Sequence, residues 1–85
     1  MNVTEKHTLN PEKWIDLHAD YLFNYTITRI SDRDLAKDLV QDTFFAGLKA
    51  KENFQGKASE RTWLISILKR KIIDQYRKMN SAKGK

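Results

Sequence analysis

Cysteine is missing from this chain, which excludes disulfides and thiolate metal sites together. The two histidines, His7 and His18, are too few and too poorly placed for a metal cluster, and both read as bystanders. The three glycines are scattered and offer no glycine-rich phosphate loop. No run of about eighteen apolar residues could span a membrane, and no charged-then-apolar leader is visible. Strand-like alternation and internal repeats are absent as well. Nothing supplies a catalytic constellation, a metal site or a cofactor cradle. The chain therefore reads as a binding module, not an enzyme.

What is present is helix and charge. The 85 residues suffice for one small domain with a single modest core. The net charge of +5 is unevenly spread. Residues 1–48 hold five Lys/Arg against eight Asp/Glu, a balance of −3; residues 49–85 hold eleven against three, a balance of +8. An acidic half and a basic half suggest two different partners, the basic half facing a polyanion. Lys-rich ends that only keep a small protein soluble would give the same totals.

Residues 1–9 lack periodicity and read as a flexible arm. Asn10-Pro11-Glu12 is a helix start: Asn can cap, Pro fits the first helical position, and Glu complements the dipole. The helix is expected to run over about 11–30. Its main stripe would be Trp14, Leu17, Tyr21, Tyr25 and Thr28, with Phe23, Ile27 and Ile30 on a second. A second helix is expected over about 32–50, its start marked by Ser31 with Asp34 three residues later, as in a capping box. Leu35, Leu39, Thr43, Ala46 and Ala50 form its inner stripe, flanked by Ala36, Val40 and Gly47. Asp34, Asp38, Gln41 and Phe45 share the outward face, with Phe44 and Leu48 at its edge. Apolar groups ringed by acids match the hot-spot pattern of a protein interface.

Residues 51–58 break the periodicity and contain Gly56, so they read as a loop that Phe54 anchors. A third helix is expected over about 59–78, capped by Ser59. Leu64, Leu68, Ile72 and Tyr76 recur every four residues and form its buried stripe. Trp63, Ile67, Arg70, Asp74 and Arg77 share another face. Cations beside one flat ring suit nucleic acid, the guanidiniums meeting phosphates and the ring stacking on an unpaired base. An ordinary amphipathic helix with a solvated basic face and a core Trp fits the same residues. The fold class is all-α, a small bundle of three principal helices, with a helical domain over 10–79 and a tail or linker start over 80–85.

The run from Asp34 to Lys78 resembles region 2 of bacterial RNA polymerase sigma factors of the extracytoplasmic-function (ECF) group. DLVQDTF at 38–44, the loop Phe54 and TWLISILKRKIIDQYRK at 62–78 occur in that family's order and spacing, including Asp74 and Arg77. The resemblance implies a domain that binds core RNA polymerase and recognises and melts the promoter −10 element by capturing the non-template strand. Docking on the clamp helices of the large beta-prime subunit would use Asp38, Gln41, Asp42 and Phe45. DNA contacts would come from Asn53, Gln55 and Lys57 of the loop and from Arg61, Trp63, Arg70 and Arg77. At Arg70 many family members carry Asn, so base preference at that position is not carried over. The resemblance also implies cytoplasmic, nucleoid-associated action, an anti-sigma factor as a further partner class, and a second domain beyond a linker that binds the −35 element. Two other readings of the residues stay open: a small helix-turn-helix regulator of duplex DNA, and a helical protein–protein adaptor.

Overall fold

A computed structural model describes residues 7–83, the side chains of 81–83 excepted. Three helices make up the bundle: α1 (Trp14–Ile27), α2 (Arg33–Ala50) and α3 (Glu60–Lys83). Short 3-10 turns, Pro11–Lys13 and Lys51–Asn53, precede α1 and follow α2. The all-α expectation holds, and no strand occurs among the described residues.

Aromatic contacts fix the directions of the helices. Trp14, at the start of α1, stacks on Phe44 near the end of α2, with ring centroids 6.0 Å apart. At the opposite end Arg33 stands over the Phe23 ring. These two helices are therefore antiparallel. The start of α3 bonds to the start of α1 through Glu60, and Tyr76 of α3 donates to the Arg29 carbonyl just beyond α1's end. Those two helices run parallel.

Local chemistry shifts the expected boundaries. Regular α-helix begins at Trp14 because Pro11–Lys13 winds more tightly, and Asn10 makes no side-chain cap. α1 closes at Ile27: the amides of Arg29 and Ile30 both return to the Thr26 carbonyl, and the Arg29 and Thr28 side chains take the Tyr25 carbonyl. The cap of α2 is Asp32, not Ser31; its carboxylate accepts from the amides of Asp34 and Leu35. Ser59 caps α3 as its sequence position suggests, accepting from Thr62 N. α3 continues to Lys83, five residues beyond the expected end at 78. At the other terminus residues 1–6 of the expected arm lie outside the described residues, as do 84–85 of the tail. His7 and Leu9, by contrast, are engaged: the His7 amide donates to Gly56 O, and Leu9 packs on the core.

The core is Trp14, Leu22, Ile30, Ala36, Leu39, Val40, Leu64, Leu68 and Ile72. The first three members of the α3 stripe fall inside as expected; on α2 Leu39 and Thr43 of the expected stripe are buried, but Leu35, Ala46 and Ala50 are only half-buried and the burial centres on the flanking Ala36, Val40 and Gly47. On α1 the expected stripe is wrong. Leu17 and Tyr21 are about half exposed, and the buried line is Trp14, His18, Leu22 and Thr26, strictly four apart. Two polar members disguised that line. Thr26 satisfies its hydroxyl on the Leu22 carbonyl, and His18 finds a carboxylate on α3, so neither carries the cost of an unpaired buried polar group. Tyr76, the last member of the α3 stripe, is 41% exposed, at the edge of the core, and its hydroxyl donates to Arg29 O.

Candidate interfaces for nucleic acid and protein

The α2–α3 loop is built around two rings. Gly56 takes a left-handed conformation, φ 76°, which turns the chain where a side-chain-bearing residue would be strained. That turn brings Phe54 edge-on to Trp63, centroids 5.1 Å apart at 63°. Trp63 in turn lies 6.4 Å from Trp14. It is half-buried, a bridge between loop and core with part of its surface open. Around it Asn53, Gln55 and Lys57 are exposed on the loop, and Arg70 and Arg77 are exposed further along α3. Among the described residues neither Asp74 nor Arg77 makes an ion pair, so none of them occupies the Arg77 guanidinium. This is a cationic face beside a partly open indole, and single strands are held by that combination.

Arg61 is not on this face. It turns to α1, where Nη2 donates to the Leu17 carbonyl at 3.2 Å and Nε reaches His18 Nδ1 at 3.4 Å. Its guanidinium stands 4.3 Å from the centre of the Tyr21 ring. Two residues at about 100° each set it nearly on the opposite side of α3 from Trp63.

The acidic face of α2 is assembled as its spacing suggests. Asp38, Gln41 and Asp42 are exposed, and Phe45 is 55% and Leu48 44% accessible. Phe44 is withdrawn from this face by its stack on Trp14. Phe45 and Leu48 line a shallow groove with Asp42, Ala46, Lys49 and Lys71 of α3. Burying two exposed apolar side chains within a charged rim is the chemistry of a protein contact.

Sequence reasoning missed the hub that ties α3 to α1. The Glu60 carboxylate accepts from the Asn10 amide, from Trp14 Nε1 at 2.6 Å and meets His18 Nε2 at 2.8 Å. Burial pushes the Glu60 pKa up, but these donors, together with the His18 charge, outweigh it and hold the carboxyl below its ordinary value. His18 is thus a buried structural partner and not a bystander. The four-residue line Trp14, His18, Leu22 could have suggested that His18 is buried, but not that Glu60 is its partner. Among the described residues no group of three or more His, Cys, Asp or Glu is placed to hold a metal ion. No described helix is long and apolar enough to cross a membrane.

Comparison with known proteins converges on one family. The family model for Sigma-70 region 2 matches residues 14–82. The ECF RNA polymerase sigma factor SigX of Bacillus subtilis is 30% identical over 66 residues, 78% of this chain and 34% of that protein. RNA polymerase sigma factor YlaC of the same organism is 39% identical over 66 residues, 74% of this chain and 38% of that protein. A probable RNA polymerase sigma factor of Haemophilus influenzae is 38% identical over 56 residues, 66% of this chain and 29% of that protein. The chain thus spans about a third of the length of these relatives. No solved structure gives a significant match.

Proposed function

The chain belongs to the Sigma-70 region 2 family, and from that premise we propose that it is a sigma-factor domain that serves transcription initiation. In this reading it docks on core RNA polymerase and captures the non-template strand of an opened −10 element. The observation that carries the reading is the separation of two unlike faces on one rigid bundle. The acid-ringed Phe45 and Leu48 of α2 face one way, while Trp63, Arg70 and Arg77 of α3 offer cations and a ring elsewhere.

Asp38, Gln41, Asp42 and Phe45 are the docking set, directed at the clamp helices of the beta-prime subunit. Asn53, Gln55 and Lys57 act with Trp63, Arg70 and Arg77 on the strand. Arg61 contributes to DNA only from the α1 side, given its stack on Tyr21. Promoter opening then needs no catalysis. Unstacking costs a few kcal/mol per flipped base, and a captured strand recovers about 1–3 kcal/mol per stacked base. A domain of this size makes few phosphate contacts, so polymerase supplies the effective concentration. Its place of action is the bacterial cytoplasm, at the nucleoid, where an anti-sigma factor would compete for the same faces.

The test compares binding of the polymerase-bound protein to a single-stranded −10-like oligonucleotide and to the same sequence as a closed duplex. Preference for the single strand is expected. Equal or tighter binding to the duplex would instead favour a helix-turn-helix regulator, a motif for which the nine residues between α2 and α3 are too many. Binding to neither would leave a protein–protein adaptor.

A further inference from the structure

A third surface, away from both faces above, runs along the seam of α1 and α3. Leu17, Tyr21 and Tyr25 follow one another at four-residue steps, so they form one line on α1. Leu17 and Tyr21 are about half exposed. Across the seam, Arg61, Ile65, Lys69 and Tyr76 stand on one side of α3, roughly a third of a turn round from Trp63, Arg70 and Arg77. Both ends of the seam are tied. Arg61 donates to the Leu17 carbonyl, and Tyr76 donates to Arg29 O at 2.6 Å.

Two guanidiniums lie over tyrosine rings here. Arg29 Cζ is 3.7 Å from the centre of Tyr25, and Arg61 Cζ is 4.3 Å from that of Tyr21. A guanidinium held over a ring is planar, weakly hydrated and pre-oriented, and an unpaired base can stack on such a plane while its free N–H groups meet phosphate. Arg29 engages only Nη1 with protein acceptors, and Arg61 only Nε and Nη2. Among the described residues none of Arg29, Arg61 and Lys69 makes an ion pair. Carboxylates avoid the line. Asp16 and Asp20 lie on the far flank of α1, Asp74 lies on the Trp63 side of α3, and Glu60 is held by Asn10, Trp14 and His18.

Unpaired cations argue against an apolar protein partner, whose contact centre is depleted of charge. An acidic peptide would match the cations but leave the exposed Tyr21 ring and the two guanidinium planes without flat partners; Tyr25 itself is half-buried against the core beneath Arg29. We propose that the α1–α3 seam is a second track for single-stranded polynucleotide, independent of base sequence. In it bases stack on the Tyr21–Arg61 and Tyr25–Arg29 pairs, and phosphates meet Arg29, Arg61 and Lys69. The track shares only Arg61 with the promoter reading and otherwise uses side chains apart from the Trp63, Arg70 and Arg77 face, so the two readings can fail separately.

The experiment uses the whole chain with oligo(dT) and oligo(rU), which separate DNA from RNA as the strand, and with poly-glutamate as a charge control. Ultraviolet cross-linking of the unmodified protein should label Tyr21, Tyr25 or Tyr76. In a salt titration, the R29Q/R61Q double variant should lose affinity on the order of tenfold, with its salt slope reduced by about 1.4 for two phosphates. Its circular dichroism should match that of the parent. Labels confined to Trp63 and Phe54 would overturn the proposal. So would a double variant whose slope is unchanged while R70A/R77A lowers it, an outcome that leaves the promoter reading intact. Equal displacement by poly-glutamate would reduce the seam to a patch of charge and overturn it too.

Discussion

His18 Nε2 lies 2.8 Å from Glu60 Oε1, joining the first turns of α1 and α3 across the top of the bundle. The same carboxylate takes Trp14 Nε1, so one side chain orients both the indole at the core's centre and the helix that carries Trp63. Packing and interface geometry are coupled through this group.

Glu60 therefore gives stability a dependence on acid. Its pKa is lower in the folded chain than the ordinary 4.5, since the donors of Asn10, His18 and Trp14 outweigh the effect of burial. A depressed carboxylate stabilises fully above its unfolded value, and that contribution fades as pH falls through the folded one. Denaturation midpoints should thus hold from neutrality down to about pH 5 and fall below it. Glu60→Gln should cost about 1–3 kcal/mol at neutral pH, by weakening the bonds to buried donors, and should flatten the acid limb. An acid limb equally steep in the variant would remove Glu60 from this role.

How much of this could be read from the sequence divides by chemistry. α2 and α3 were legible because their buried residues are apolar and periodic: Leu39, Val40, Leu64, Leu68 and Ile72 need no partner beyond each other. α1 was misread by one residue along the helix after Trp14, since Leu17 and Tyr21 look more buriable than His18 and Thr26. Those two became core residues only through a carboxylate 42 positions away and a carbonyl one turn back, and no local pattern shows the first of these. That Phe45 stands exposed beside Asp38, Gln41 and Asp42 was legible, because the spacing along α2 already sets these residues on its outward side. Spacing alone sets Arg61 apart from the Trp63 face, but does not say that Tyr21 of α1 would come within reach of it.

Gly47 is required by packing. A methyl group there would stand 3.0 Å from Trp14 Cη2 and 3.1 Å from Leu64 Cδ2, both in the fully packed core. Alanine gains up to about 1 kcal/mol of helix propensity, but overpacking of this kind costs about 1–3 kcal/mol. Gly47→Ala should therefore lower the urea midpoint. A raised midpoint would mean that Trp14 can move aside and that α2 approaches α1 and α3 less closely than described.

On the acidic face, Gln41→Ala or Phe45→Ala should weaken binding to core polymerase by about 1–3 kcal/mol, the scale of a hot-spot truncation. Both residues are exposed, so thermal stability should change little. Leu68→Ala supplies the contrast: Leu68 is fully buried, and its truncation should cost about 2–5 kcal/mol of stability. A pull-down titration in which the two surface variants bind as tightly as the parent would dismiss α2 as the docking helix.

The face proposed for the strand separates into charge and stacking. Arg70 and Arg77 are exposed and make no ion pair among the described residues, so each is available to neutralise one phosphate at no structural cost. Arg70→Ala and Arg77→Ala should each lower the salt slope of single-strand binding by roughly 0.7, with melting temperature unchanged. Trp63→Ala should weaken binding without altering the slope, because stacking releases no counterions. Its edge contact with Phe54 and its approach to Trp14 mean that stability falls as well. Trp63→Phe, which keeps a ring against Phe54, is therefore the cleaner variant, and it should lose less affinity than alanine at nearly parental stability. The discriminating measurement is the salt titration of all four variants against one −10-like strand. Arginine variants with the parental slope would show that these cations never reach the phosphates, and the strand would then have to lie on some other face of α3.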